Sequence, residues 1–394
     1  MLFFALAYLV EGACQAKAGV VWQPLVYYLK QTEGWSPLQV SAHLAALDIP
    51  WVIKPVYGLI SDFLPILHYR RRSYLFAANA AAIGAYGWAS TEISAGALIA
   101  VLVLTSVALA MASTVCGALL VENGHRFRAS AAFVRQQWLW FNVAVVISAI
   151  VGGALVQMLP PRGALRSATI LAAIAPAIVL FALTLVHEER APLDLAAMRH
   201  ALRGIIATLQ SRLLWFVAGF LFLYYFSPGF GTPLYYLMTD HLHFSQAFIG
   251  ILSSVSAAGW IVGALLHRWV FRHLSIRALL NVSIAFGTVT TLAFLGMIGP
   301  ISAVVVNLLA GAAAMIANIA TLALAAEHCP EGAEGFTFAA LMSVINLATP
   351  LSDTLGSFLY ERVFHGSLAP LIVVSAAATA LVFVLVPLLK FHER

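Results

Sequence analysis

The sequence predicts an all-α membrane protein, with twelve transmembrane helices in two pseudo-symmetric six-helix bundles. Three observations carry that expectation. Charged residues make up 9% of the 394 positions and hydrophobic residues 62%, whereas a soluble domain carries about 25% charge. The mean hydropathy is +0.93. Apolar runs of the length that crosses a bilayer, roughly 20 residues, recur along the chain, and the order of residues in the first half returns in the second. This composition excludes a soluble enzyme, a disordered chain and a nucleic-acid-binding domain, since the basic residues are too sparse to track phosphates. Long continuous runs favour helices over barrel strands of about 10 alternating residues.

The predicted spans lie at 2–29, 38–60, 73–91, 94–121, 131–157 and 164–186, and then at 213–238, 246–270, 277–298, 301–326, 335–359 and 367–390. They define an N-terminal bundle over 1–186, a polar connector over 187–212 and a C-terminal bundle over 213–394. The first run lacks a basic leader and a cleavage site, so span 1 is expected to be retained. Loop Lys and Arg set the orientation. With a cytoplasmic N-terminus, fourteen fall in inner loops and four in outer loops, the latter being Lys30, Arg162, Arg166 and Arg362. Both termini are therefore expected in the cytoplasm of a plasma (inner) membrane. In the connector, Met198, Leu202, Ile205, Ile206 and Leu209 fall at helical spacing, as in an amphipathic tether on the inner surface.

The halves share a pattern. Pro24-Leu25-Val26-Tyr27-Tyr28-Leu29 returns as Pro233-Leu234-Tyr235-Tyr236-Leu237, and an offset of 209 also maps Ser36 to Ser245 and Trp51 to Trp260. Ala118-Leu119-Leu120-Val121-Glu122 echoes Ala323-Leu324-Ala325-Ala326-Glu327 at an offset of 205. Two six-helix repeats joined by a cytoplasmic linker resemble the major facilitator architecture. That resemblance implies a solute site near the midplane between the halves and alternating access by rocking.

After span 2, Gly58-Leu59-Ile60-Ser61-Asp62 runs on to Pro65, Tyr69 and Arg70-Arg71-Arg72. Gly58 lets helices approach closely. Asp62 and the arginines, with Glu122 as a further carboxylate, form a candidate latch at the inner face; enforcing topology is the other reading of the arginines. The order resembles the facilitator signature between helices 2 and 3. The longer stretch from Pro50 to Asp62, then Arg70 to Tyr74, with Ser36-Pro37 ahead of it, is similar to the folate–biopterin transporter family. So is Ala326-Glu327-His328-Cys329-Pro330-Glu331-Gly332-Ala333-Glu334-Gly335, continuing to Leu341-Met342-Ser343 and Asn346. This resemblance implies a transporter of a folate- or pterin-like organic anion. It also implies aspartates in helix 4, where this chain has Ser113 and Gly117. A chain without them handles the ring or a proton otherwise, or takes another amphiphile such as a muropeptide, a sugar conjugate or a metal chelate.

An ionisable group at membrane depth costs about 2.5–3.5 kcal/mol or more, so each marks a partner or a cavity. Glu11, Lys17, Asp48, Lys54, Arg135 and Asp353 lie inside the spans. On one continuous helix, Glu11 shares a side with Gln15 and Trp22, whereas Lys17 falls on another side with Pro24 and Tyr28. Glu11 is the first candidate for proton coupling, with a salt bridge to Lys54 or Arg135 as its structural reading. Lys17 is a candidate for attracting an anion, with a standing pair to Asp48 as the rival. Asp48 and Lys54, flanking Pro50, are expected in gating, as is Glu327 by analogy with Glu122. Arg135 either binds an anion or caps Glu122, and Asp353 belongs to the outer gate. In span 7, two prolines and two glycines over Ser227–Pro233 predict a broken helix, placing Tyr224 and Tyr225 where they stack on a ring or anchor at the interface. Asn307 and Asn318, eleven apart, share a face of span 10, for substrate or for interhelical hydrogen bonds.

Cys14, Cys116 and Cys329 make no disulfide or zinc spacing, and the sequence holds no phosphate loop, nucleophile elbow or metal motif. The expected partners are a small-molecule substrate, protons and the lipid bilayer, for a monomer with no cofactor, metal or nucleic acid. A non-transporting receptor or scaffold is the alternative outside this class.

Overall fold

The computed structural model describes residues 1–186, 188, 190, 199, 203, 205–206, 208–329 and 334–389. The amphipathic reading of the connector falls largely outside them. Regular structure among the described residues is helical, with one isolated antiparallel bridge between Ile66 and Tyr69. We number the helices α1 Leu2–Cys14, α2 Trp22–Gln31, α3 Pro37–Ala45, α4 Ile49–Val52, α5 Lys54–Phe63, α6 Arg72–Ala89, α7 Ala95–Arg126, α8 Ser130–Met158 and α9 Pro161–Ala182. After the connector come α10 Arg212–Tyr225, α11 Gly231–Asp240, α12 Gln246–Leu266, α13 Ile276–Ala293, α14 Pro300–Glu327, α15 Glu334–Phe358 and α16 Leu368–Leu381.

Among the described residues, nine helical segments are long and apolar enough to cross a membrane. They coincide with nine of the expected spans. The other three depart for separate reasons. Span 3 is α6, 18 residues long, in which Arg72, Ser73 and a buried Asn79 dilute the apolar run. Span 7 is split as expected: α10 ends at Tyr225 and α11 begins at Gly231, around Ser227-Pro228-Gly229. Span 1, expected to be continuous, is also split. α1 ends at Cys14 and α2 begins at Trp22. The intervening turns are closed by Gly19 N–H to the Gln15 carbonyl at 2.6 Å and Val20 N–H to the Ala13 carbonyl at 3.0 Å. Gly19 permits this fold-back, because a side chain there would collide with the carbonyls of Ala13 and Gln15.

Span 2 is segmented as well. A single 3₁₀ turn, Ala46–Asp48, separates α3 from α4, and Ile53 separates α4 from α5. Pro50 and Pro55 sit at the starts of α4 and α5, where proline's missing N–H costs no helical bond.

The chain divides into two compact units, Met1–Trp35 with Ala46–Arg203, and Ser36–Ala45 with Gly204–Arg394. In the first, α1 packs on α8 and α9, and α6 on α7 and α9. Gly12 lies directly on the Phe141 carbonyl, and Gly152 lies 3.2 Å, by its absent Cβ, from the Val20 carbonyl. Small residues here let backbones meet, as membrane helix packing requires. Tyr86, fully buried, donates to the Cys14 carbonyl at the end of α1.

In the second unit, α12 crosses α14 through Gly259, Gly263 and Gly311, and a core gathers around Leu221, Leu280, Ile284, Ile316 and Leu324. Gly356 of α15 rests on the backbone of Gly229 in the broken segment. Ser352 accepts from Gly229 N–H at 3.0 Å and donates to the Ser227 carbonyl. Those bonds satisfy groups that the break strips from the helix. Large exposed apolar side chains such as Phe181, Trp215, Ile298 and Ile301 are what a lipid-facing surface presents.

Candidate functional site

The first unit gathers four of the six intramembrane charges into two clusters. The first cluster joins α1, α5 and α7. The Ser113 hydroxyl donates to Glu11 Oε1 at 2.8 Å and accepts from Lys54 Nζ at 3.0 Å. Gln15 Nε2 donates to the same carboxylate oxygen at 3.4 Å. Lys54 also sits 4.5 Å from the centre of the Trp51 ring, a cation–π distance. The structural partner of Glu11 is thus Lys54, through Ser113, and not Arg135. Ser113 stands where the family resemblance leads one to expect an aspartate. The carboxylate that reaches this point comes instead from α1.

The second cluster is the ion pair of Lys17 and Asp48 at 2.5 Å, each side chain about one-fifth exposed, at 23% and 21%. Lys17 lies in the turns between α1 and α2, and Asp48 in the 3₁₀ turn between α3 and α4. The pair therefore joins two interruptions. The helical-wheel expectation is corrected here. Gln15 keeps its place beside Glu11, but Trp22 opens α2 beyond the break, so neither it nor Lys17 stands in α1's register.

The candidate latch is assembled around Arg71. Its guanidinium meets Asp62 at 2.5 Å and Glu122 at 2.7 Å, and bonds Ser61 Oγ at 2.7 Å. Burial opposes the Arg71 charge, but Asp62 and Glu122 outweigh it and raise its basicity above the usual value. Gly58 faces Thr114 of α7 at van der Waals distance. The three arginines contribute differently. Arg70 and Arg72 contribute backbone N–H groups, which with that of Arg71 donate to the Glu188 carboxylate at 2.7–2.8 Å. Those three N–H groups open α6, and a carboxylate there satisfies donors that have no helical acceptor. Arg135 is exposed, and among the described residues Glu122 pairs with Arg71.

In the second unit the predicted tyrosines and Asn307 are bonded within the unit. Tyr224 OH and Ser283 Oγ are 2.7 Å apart, and Tyr225 OH and Thr321 Oγ1 2.9 Å. Asn307 donates to the Ala303 carbonyl of its own helix at 2.8 Å, not across helices. Asn318 is half-buried on α14. Asp353 of α15 lies against Gly229 in the break. Glu327 has a buried carboxylate oxygen with no hydrogen-bond partner.

Sequence reasoning passed over Ser113 as a bridge, Glu188 as a cap and Ser352 as a brace. Each is a small or loop residue whose role depends on a neighbour far along the chain. A cavity of about 20 Å³ adjoins Glu11 and Ser113, bounded by Leu75, Asn79, Leu109 and Val179. A larger one of about 750 Å³, lined by Tyr28, Arg162 and Arg166 among others, holds none of the predicted site residues. Among the described residues, no three His, Cys, Asp or Glu side chains group as metal ligands.

The folate-biopterin transporter of Synechocystis sp. is 27% identical over 369 residues, spanning 89% of this chain and 73% of that one. Folate transporter 2 of Plasmodium falciparum is 23% identical over 348 residues, spanning 85% and 75%. Among solved structures, the nucleoside transporter NupG superposes with a TM-score of 0.73 at 15% identity, over 99% of both chains. The D-xylose-proton symporter gives 0.72 at 13% identity, over 98% of this chain and 96% of that one. At such identity these likenesses show the fold. The model of the BT1 family matches residues 16–394, and the chain belongs to that family.

Proposed function

We propose that this chain is a proton-coupled transporter of a small organic anion of the folate or pterin class. It is a multi-pass membrane protein and a secondary transporter of a small organic solute, not an enzyme. The finer reading is our own. It takes α1 with α2 and α10 with α11 as one span each, adds α6, and so has twelve spans in two six-helix bundles, 1–186 and 213–394, with 187–212 between them. The bundles rock to expose a central site alternately to either side. Both termini lie in the cytoplasm of an inner (plasma) membrane, and a monomer is the working unit.

The observation that carries coupling is the Glu11–Ser113–Lys54 cluster. A carboxylate and an amine set into a membrane unit are costly unless their charge is used or balanced, and here one hydroxyl bridges them. The names of the relatives support the substrate class. Three intramembrane cations with amide and aromatic neighbours fit an anion as well. Asp62, Arg71 and Glu122 act as a latch that holds one face shut while the other is open.

Proteoliposomes under a pH gradient test this reading. Folic acid or biopterin outside should drive proton entry, and Glu11→Gln should lower gradient-driven accumulation at least tenfold while solute exchange falls less. Equal accumulation by that variant removes Glu11 from coupling.

A further inference from the structure

Hydroxyl groups in these helices mostly bond back to their own helix. Thr105 reaches the Val101 carbonyl, Thr114 that of Ala110, Thr169 that of Leu165 and Ser343 that of Ala339. This default satisfies the hydroxyl locally and needs no partner. Ser113 departs from it. Its oxygen accepts from Lys54 on α5 at 3.0 Å while its hydrogen points to Glu11 on α1 at 2.8 Å. A serine hydroxyl is both donor and acceptor, so this one completes a continuous line from amine to carboxylate.

We infer that Ser113 is the positioning residue that joins Glu11 and Lys54 into one proton-sharing unit, resting on the reading of Glu11 as the coupling carboxylate. The transfer balances. A Lys54 N–H bond breaks and its proton bonds to Ser113 Oγ; the Ser113 O–H bond breaks and its proton bonds to Glu11 Oε1. Ammonium, hydroxyl and carboxylate become amine, hydroxyl and carboxylic acid, with no change in net charge. The trio therefore exists as an ion pair or as a neutral pair, and a proton taken from outside protonates whichever base remains. Before it takes that extra proton the unit is neutral and can cross a conformational change without presenting a lone charge to the interior; once loaded it carries one positive charge.

The surroundings fit that role. The cavity of about 20 Å³ beside Glu11 and Ser113 is the size of a single water, with Asn79 as a further polar wall. Leu75, Leu109 and Val179 give the cavity an apolar lining on this side of the trio. The other titratable groups facing Glu11 are Tyr8 on α1 and Cys116 on α7. α8, also packed on α1, places Phe141 and Ala144 against the neighbouring Gly12, and α9 places Val179 at the cavity.

The test needs no substrate. The full chain in lipid is titrated while the infrared carboxylic acid C=O band is followed, in the wild type and in the Glu11→Gln, Ser113→Ala and Ser113→Thr variants. A titrating band that is lost in Glu11→Gln identifies Glu11. Ser113→Ala should then keep the band but shift it to the frequency of a carboxyl with one hydrogen bond fewer, and displace its midpoint by about one to two pH units. Ser113→Thr, which retains the hydroxyl, should restore both. If Glu11→Gln removes the band and Ser113→Ala leaves frequency and midpoint unchanged, the bridge is wrong and the coupling reading stands. If no band titrates, or if Glu11→Gln leaves it intact, the coupling reading falls and the bridge with it.

Discussion

The two units share a backbone design and differ in charge. At the offset of 209, α1 and α2 superimpose in sequence on α10 and α11, and the break at Gln15–Val21 falls on Tyr224–Phe230. At 204, α8 maps to α15, and Gly152 against the Val20 carbonyl maps to Gly356 against that of Gly229. The charges of the two clusters do not repeat. Glu11 corresponds to Phe220, Lys17 to Phe226, Asp48 to Ala257 and Lys54 to Gly263. Broken helices braced by a glycine crossing thus belong to the architecture of both units. The Glu11–Ser113–Lys54 cluster and the Lys17–Asp48 pair belong to one. A feature present in both units is better read as a hinge or brace, and a feature present in one as a site.

The largest expected effect tests the shared design. A Cβ at Gly356 would meet the Gly229 backbone, which has no flexible side chain to move aside, whereas at Gly152 the nearest atom is the Val20 carbonyl at 3.2 Å. Overpacking of this kind costs about 1–3 kcal/mol and sometimes more. Gly356→Ala should therefore lose about 3 kcal/mol, and Gly152→Ala about 1 kcal/mol, read from denaturant unfolding in detergent. Equal losses would mean that the two crossings are equally tight, and the second break would lose its claim to a firmer brace.

Much of this was legible in advance, for identifiable reasons. Membrane thickness fixes span length, so the apolar runs located the helices. Pro228, Gly229 and Pro233 announced the break in span 7. Nothing as loud announces the break in span 1, where Gly19 is the one local signal and Pro24 lies beyond it. Yet aligning Pro24 with Pro233 already placed the first break opposite the second, so the repeat held information that the helical wheel did not. At the site, Glu11 and Lys54 stood out as charges in apolar sequence. Ser113 did not, because a serine in such a helix is ordinarily satisfied by its own backbone. Glu188 did not, because a carboxylate in a connector carries no mark of the helix it caps.

The next effect contrasts Glu122 with its counterpart Glu327. Glu122 is paired with Arg71, while Glu327 leaves a buried oxygen unpaired. Removing the partner of a buried ion pair costs about 3–5 kcal/mol, but the Asp62 and Glu122 side chains are 42% and 52% exposed. Solvent screening reduces the figure, so Arg71→Ala should lose about 2 kcal/mol. Glu122→Gln should cost less, about 1 kcal/mol, since Asp62 still holds the guanidinium. Glu327→Gln should be neutral or slightly stabilising, because it removes the charge from a carboxylate whose Oε2 is buried without a hydrogen-bond partner among the described residues. Thermal unfolding in detergent ranks the three. A Glu327→Gln variant as damaged as Arg71→Ala would show that the second unit has a latch of its own.

The smallest effect comes from exchanging the first unit's ion pair for the second unit's residues. Lys17→Met alone leaves Asp48 facing a partly buried site without its cation, at a cost of about 1–2 kcal/mol after allowance for its exposure. Lys17→Phe with Asp48→Ala installs the residues found at Phe226 and Ala257 and leaves no charge behind. Replacing both members of such a pair is often near neutral, so the double variant should unfold within about 1 kcal/mol of the wild type. Folding and transport then separate. If the pair only ties two interrupted helices together, the apolar version should move solute as the wild type does. If the pair opens and closes during the cycle, a well-folded double variant should bind solute and fail to move it. The second unit carries Phe226 and Ala257 at these two positions, so the backbone design forms without a Lys–Asp pair there, and a transport defect in that variant would have to come from what the charges do.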